Sequence, residues 1–173
     1  MKKLTGLIIL VALSVFCSVM LFSCESEGEI KIDLQDLSKV IGEKIDLSEF
    51  DKYSADKIQN EFGITSDDAV QILALKKIDE NNVSNAEMLV LFEAKDQKTA
   101  KEIETKLKEY KNNKLIELNG ECPMINDDNG NQIDAVTNSE ILVEQQYVFW
   151  SVNKQYKEIN VNNIIKDYIK NNK

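Results

Sequence analysis

The sequence predicts an α+β fold, a single domain with a mainly antiparallel four-stranded sheet and helices packed on one face, in the order ααββαββα. Three observations lead there. Short apolar runs bounded by turn residues occur as two pairs, which is the length and flanking expected of strands. Around and between the pairs, apolar residues recur at spacings of three and four, the period of a helix with one buried face. Strands that neighbour in sequence, with a helix between the pairs, are satisfied by an antiparallel sheet under a helical layer.

Taken in order, Asp33 is placed to cap a short helix carrying Leu34, Leu37 and Ile41, which stops near Gly42. Leu47 and Phe50 pack against the body, and Ser54 caps a second helix with Ala55, Ile58 and Phe62 before Gly63. Val70–Leu75 and Met88–Phe92 form the first strand pair, a hairpin across the polar stretch from Asp79 to Asn85. Asp96 caps the clearest helix, on which Ala100, Ile103, Leu107 and Tyr110 share a face and Asn112-Asn113 marks the end. A long loop then includes Asn119-Gly120-Glu121-Cys122-Pro123 and the segment from Asn126 to Asn131. Glu140–Glu144 and Tyr147–Val152 form the second pair. Gln145-Gln146 between them lacks the glycine or asparagine of a tight hairpin turn, so a bulge or bend is expected there. Asn160 caps the last helix, striped by Val161, Ile164, Ile165, Tyr168 and Ile169.

The first residues have a different character. Lys2-Lys3 precede an apolar run from Gly6 to Phe22, the pattern of a secretory signal. Leu21-Phe22-Ser23-Cys24 resembles the bacterial lipobox, with an aliphatic residue three before the cysteine and a small one just before it. The resemblance implies a diacylglyceryl group on Cys24 and cleavage before it. Residues 1–23 are then the signal peptide, 24–31 an acidic tether and 32–173 the domain. The partners expected are the membrane, through the lipid, and an envelope protein or component on the outer face of the cell membrane. An uncleaved spanning anchor is the alternative, although the apolar run is at the short end of the roughly 17–25 residues such a helix needs.

Charge and composition narrow the chemistry. Residues 1–23 hold two lysines and no acid, so the chain from Cys24 carries 19 lysines against 30 acids, a formal charge of −11. Such a balance excludes nucleic acid as a partner, since that footprint is basic. All 21 basic residues are lysines, and there is no histidine. Histidine relays, histidine-ligated zinc and bidentate guanidinium clamps are therefore ruled out. No cofactor is expected.

The remaining candidates each have a plainer reading. Asn126–Asp134 suggests a calcium loop. However, the two frames that place or nearly place glycine at the sixth position leave Val136 or Thr137 where the bidentate acid belongs. Tyr147 and Trp150 can offer rings to a ligand, or serve as core on opposite faces of a strand. Cys122 is the one thiol left if Cys24 is lipidated, and Glu121 beside it opposes ionisation. Asp67-Asp68 reads as a solvated turn or cap. A lipid-anchored binding or accessory domain is the leading expectation. A carboxylate- or lysine-dependent envelope hydrolase built from Asp127, Asp128 or Glu121 is the alternative, with a structural spacer as a third.

Ala86–Asp96, leading into the Lys98–Tyr110 helix, together with Phe62-Gly63-Ile64 and the Tyr147-Val148 strand, resembles the bacterial lipoprotein family with domain of unknown function 4358. The resemblance spans residues 45–155. Glu121-Cys122-Pro123 keeps the proline of that family's Tyr-x-Pro-like segment and departs at the aromatic. It implies a location and a fold, and brings no active residues with it.

Overall fold

The computed structural model describes residues 30–77, 85–120 and 127–172. The expected signal, the expected lipidation site at Cys24, the expected tether up to residue 29, and Glu121 and Cys122 lie outside them. Residues 31–172 form one compact unit. Its elements are α1 (Leu34–Gly42), β1 (Phe50–Lys52), α2 (Ala55–Phe62), β2 (Ala69–Lys77), β3 (Met88–Ala94), α3 (Gln97–Gly120), α4 (Asp127–Asn138), β4 (Ile141–Glu144), β5 (Tyr147–Val152) and α5 (Val161–Asn171). The fold is α+β, with one sheet of five strands in the order β1-β2-β3-β5-β4. Every neighbouring pair is antiparallel.

Local signals act where the sequence places them. Asp33 accepts from the amides of Gln35 and Asp36, Ser54 from Lys57, Asp96 from Thr99 and Asn160 from Asn163. These side chains satisfy amides that a helix start leaves without intrahelical partners. Gly63 closes α2 with φ 65°, a left-handed geometry that a side chain resists.

Five expectations are corrected, one of them at the Gln145-Gln146 turn described below. The sheet has a fifth strand, because Phe50–Lys52 pairs with Lys77–Leu75 along the outer side of β2. The central helix runs past Asn112-Asn113 to Gly120, since Lys114 and Leu118 continue the buried stripe of Ile103 and Leu107 that partly buried Tyr110 flanks. The Asp127–Asn138 segment is a helix instead of a loop, held by burial of Gln132, Ala135 and Val136. Finally, helices cover both faces of the sheet.

That last point follows from the register. Ala74, Val90, Trp150 and Ile141 stand across from one another, as do Ile72, Phe92, Val148 and Val143. This face packs with Ile58 and Phe62 of α2, Ala100, Ile103 and Leu107 of α3, and Ala135 and Val136 of α4. Alternation sends Leu73, Leu91, Phe149 and Leu142 to the other face. There α1 packs on β2, β3 and α5, with Leu34, Leu37, Ile41, Ile165 and Ile169 buried. The backbone amide of Ile32 donates to Tyr147 Oη at 3.1 Å, pinning the chain where β5 begins.

Gln145-Gln146 closes a two-residue hairpin, since Glu144 and Tyr147 are directly paired. The expected bulge is replaced by strain, with Gln145 at φ 51°. The Gln146 carbonyl accepts from the Ala94 amide at 2.8 Å and ties the turn to the end of β3. Gln145→Gly removes the clash of a Cβ in left-handed backbone at some entropic cost, for a net gain of about 0.5–1 kcal/mol. A gain of that size raises the melting temperature by about 1–4 °C. Thermal unfolding followed by circular dichroism measures it, and an unchanged or lower midpoint refutes the strain.

Candidate functional site

β2 ends, β3 begins, β5 ends and β4 begins at the same edge of the sheet, so their terminal residues converge there. Two adjoining recesses open at this end. The larger, about 290 Å³, is lined by Asp46, Glu49, Lys77, Glu87, Asn153 and Lys154, among others. The smaller, about 80 Å³, lies among Ser139, Glu140, Ser151, Asn153, Tyr156 and Asn162. Asn153 belongs to both.

The larger cleft is charged and internally compensated. Glu87 is buried, accepts from the Lys154 amide at 3.3 Å, and lies 3.9 Å from both Lys77 Nζ and Lys154 Nζ. Lys77 also reaches Glu49 at 2.7 Å. A buried carboxylate is tolerated only when paired in this way. The amide of Glu87 donates to Asn85 Oδ1 at 3.0 Å, and that of Ala86 to buried Gln132 Oε1 at 2.8 Å, so α4 fixes the start of β3. Hydrogen bonds from the Ser48 hydroxyl and amide hold the Asp46 carboxyl below the usual carboxylate range, which makes it a standing negative charge and no proton donor near neutrality.

The smaller recess is polar and largely self-satisfied. Ser139 Oγ accepts from Trp150 Nε1 at 2.9 Å and donates to the Val136 carbonyl at 2.7 Å. Asn162 Nδ2 donates to the carbonyl oxygen and to Oε2 of Glu140, each at 3.2 Å. Tyr156 donates to Asp134 Oδ2 at 2.6 Å. Two atoms break the pattern. Asn153 Oδ1 accepts from the Gln155 amide at 2.9 Å, but its Nδ2 has no partner among the described residues, and neither has Ser151 Oγ. Asn153 is only 8% exposed.

A second polar cluster sits under α3. Glu61 accepts from Tyr53 Oη at 2.8 Å and Tyr110 Oη at 3.1 Å, with Lys76 Nζ 3.6 Å away. Burial, reinforced by Glu61, raises both tyrosine pKa values well above the ordinary range, while burial lowers that of Lys76. Phe62, Tyr110 and Trp150 meet edge to face beside it. This cluster lines neither recess, and its role is to satisfy polar groups against the core.

The residues singled out from sequence fall elsewhere. Tyr147 and Trp150 are core residues on opposite faces of β5, and neither lines a recess. Tyr147 Oη donates to Glu93 at 3.2 Å while accepting from Ile32. Asp127 and Asp128 are the first two residues of α4. Asp68 caps a turn by accepting from Thr65 and lies 3.3 Å from Lys106. Among the described residues no cluster of acids and cysteines could hold a metal ion, and no helix is long and apolar enough to cross a membrane. Asn153 and Ser151 went unnoticed in the sequence, although two polar residues two apart at the end of the apolar run from Tyr147 to Val152 are a signal of inward polarity. A comparison with family models, one with curated proteins and one with solved structures each find no match.

Proposed function

We propose that the chain is a lipid-anchored binding or accessory domain on the outer face of the cell membrane, recognising a protein or envelope component. The observation that carries the binding part is the sheet-end cleft, lined by a buried Asn153 whose Nδ2 has no partner among the described residues, beside compensated charges. Concave sites with a few convergent polar groups are where ligands bind. The anchoring part rests on Leu21-Phe22-Ser23-Cys24 after an apolar run. Two acyl chains hold a protein stably where one holds only marginally.

Cys24→Ala is expected to abolish incorporation of a labelled fatty acid and to leave the protein unprocessed or released from its normal membrane fraction. Labelling at the parent level in this variant overturns the lipid anchor. Crosslinking on intact cells, followed by comparison of Asn153→Leu with the parent, tests the binding part. Partners that are crosslinked by the parent and lost in the variant support the cleft as the contact, and an identical pattern counts against it.

A further inference from the structure

We propose that the recess at Asn153 is a carboxamide site, which takes the amide of a peptide backbone or of an asparagine- or glutamine-type side chain. The inference rests on the binding reading above and names the chemistry of its ligand. A buried donor left unmatched costs about 1–3 kcal/mol, and most buried side-chain polar atoms are matched. Here two atoms unmatched among the described residues, Asn153 Nδ2 and Ser151 Oγ, come from residues two apart at and just past the end of one strand and border one recess. The period of two carries both to the same side.

The donor set selects the occupant. Asn153 Oδ1 is already engaged by Gln155, so the free end of this side chain can only donate. It requires an acceptor oxygen. An anionic acceptor is opposed by Glu140, whose carboxylate Asn162 holds at the same recess. A bare cation offers nothing to Asn153. A neutral carbonyl flanked by N–H groups meets both demands, with the oxygen toward Asn153 and Ser151 and the N–H groups toward Glu140. The first turn of α5, from Asn160 to Asn162, borders the recess as well, and the positive end of a helix favours an acceptor oxygen. At about 80 Å³ the space exceeds the roughly 10–15 Å³ needed for one water, which suits a group of a few heavy atoms. The larger cleft continues from Asn153 past Glu87, Lys77 and Lys154, giving a polar floor to whatever extends beyond the amide.

Saturation-transfer difference NMR on the full chain in detergent micelles tests this with three small probes. N-acetylglycine N-methylamide carries backbone-type amides, propionamide a side-chain-type amide, and propionate an anion of similar size. At least one amide is expected to saturate with a dissociation constant roughly in the millimolar range, suitable for a fragment, and propionate is not. Which amide binds more tightly identifies backbone or side chain as the source. Asn153→Leu should weaken the amide by about tenfold or more, and Ser151→Ala by about threefold, each removing one hydrogen bond or more. If Asn153→Leu fails to fold, Ser151→Ala carries the test, with a circular dichroism melt close to the parent as its control. Failure of both amides to saturate, equal binding of propionate, or parent-like affinity in the folded variants overturns the proposal and leaves only water in the recess. Fatty-acid labelling at Cys24 is independent of all these results, so loss of the carboxamide site and loss of the anchored reading are told apart.

Discussion

Trp150→Ala is expected to remove about 3–5 kcal/mol of folding stability, the cost of truncating a large buried aromatic. Trp150 is fully buried in the middle of β5, across from Val90 and Ile141. Its ring meets Tyr110 edge to face with centroids 6.0 Å apart. Truncation opens a cavity and also strips Ser139 Oγ of the indole N–H that it accepts at 2.9 Å. Trp150→Phe separates the two effects, because it keeps most of the ring and deletes the donor. That variant should lose about 1–3 kcal/mol, within the range for an unmatched buried polar group. Urea titration followed by far-ultraviolet circular dichroism measures both, since the only tryptophan is lost as a fluorescent probe. A loss under about 1 kcal/mol for the alanine variant contradicts the packing described.

Stability should also fall steeply above pH 10, and the cause is specific. Burial and Glu61 raise the Tyr53 and Tyr110 pKa values in the folded state, while the unfolded tyrosines titrate near 10. A raised folded value means the stabilisation is complete below the unfolded pKa and is lost as pH rises toward the folded one. Each tyrosine therefore removes about 1.4 kcal/mol per pH unit above 10. Lys76 runs the other way. Burial depresses its folded value below 10.5, so its contribution improves as pH climbs to 10.5 and is constant beyond. The net decline begins in earnest once that window closes. Tyr53→Phe and Tyr110→Phe should each flatten the slope by about 1.4 kcal/mol per pH unit. Denaturant titrations at a series of alkaline pH values read the slope, and tyrosinate absorbance reads the ionisation. A flat profile, or all five tyrosines titrating near 10 while folded, contradicts the buried network.

The parts of the fold that were legible depended on short-range physics. Asp33, Ser54, Asp96 and Asn160 cap because a side-chain oxygen two or three residues away meets a free amide, and that information is local. Gly63 ends α2 for an equally local reason. What escaped depended on distant partners. β1 has one apolar residue in three and is a strand only because β2 offers an edge to it. The Asn- and Asp-rich start of α4 opposes helix by propensity, and burial of Gln132, Ala135 and Val136 overrides it. The two-sided cover was visible in principle. Met88-Leu89-Val90-Leu91-Phe92 has no polar alternation, and a strand of that kind is buried on both faces. The recess was the least legible feature, because Glu140 and Asn153 come to line one recess only once β4 and β5 are paired in register.

The bond from Ile32 to Tyr147 fixes where the chain enters the folded unit. From that point α1 crosses the sheet toward Ile45 and Asp46, which border the larger cleft beyond the other end of β5. The chain therefore enters the folded unit beside the start of β5 and opens its recesses beyond the end of the same strand. A substitution at the Ile32–Tyr147 contact and one at Asn153 thus act at opposite ends of β5, and only the second touches a recess.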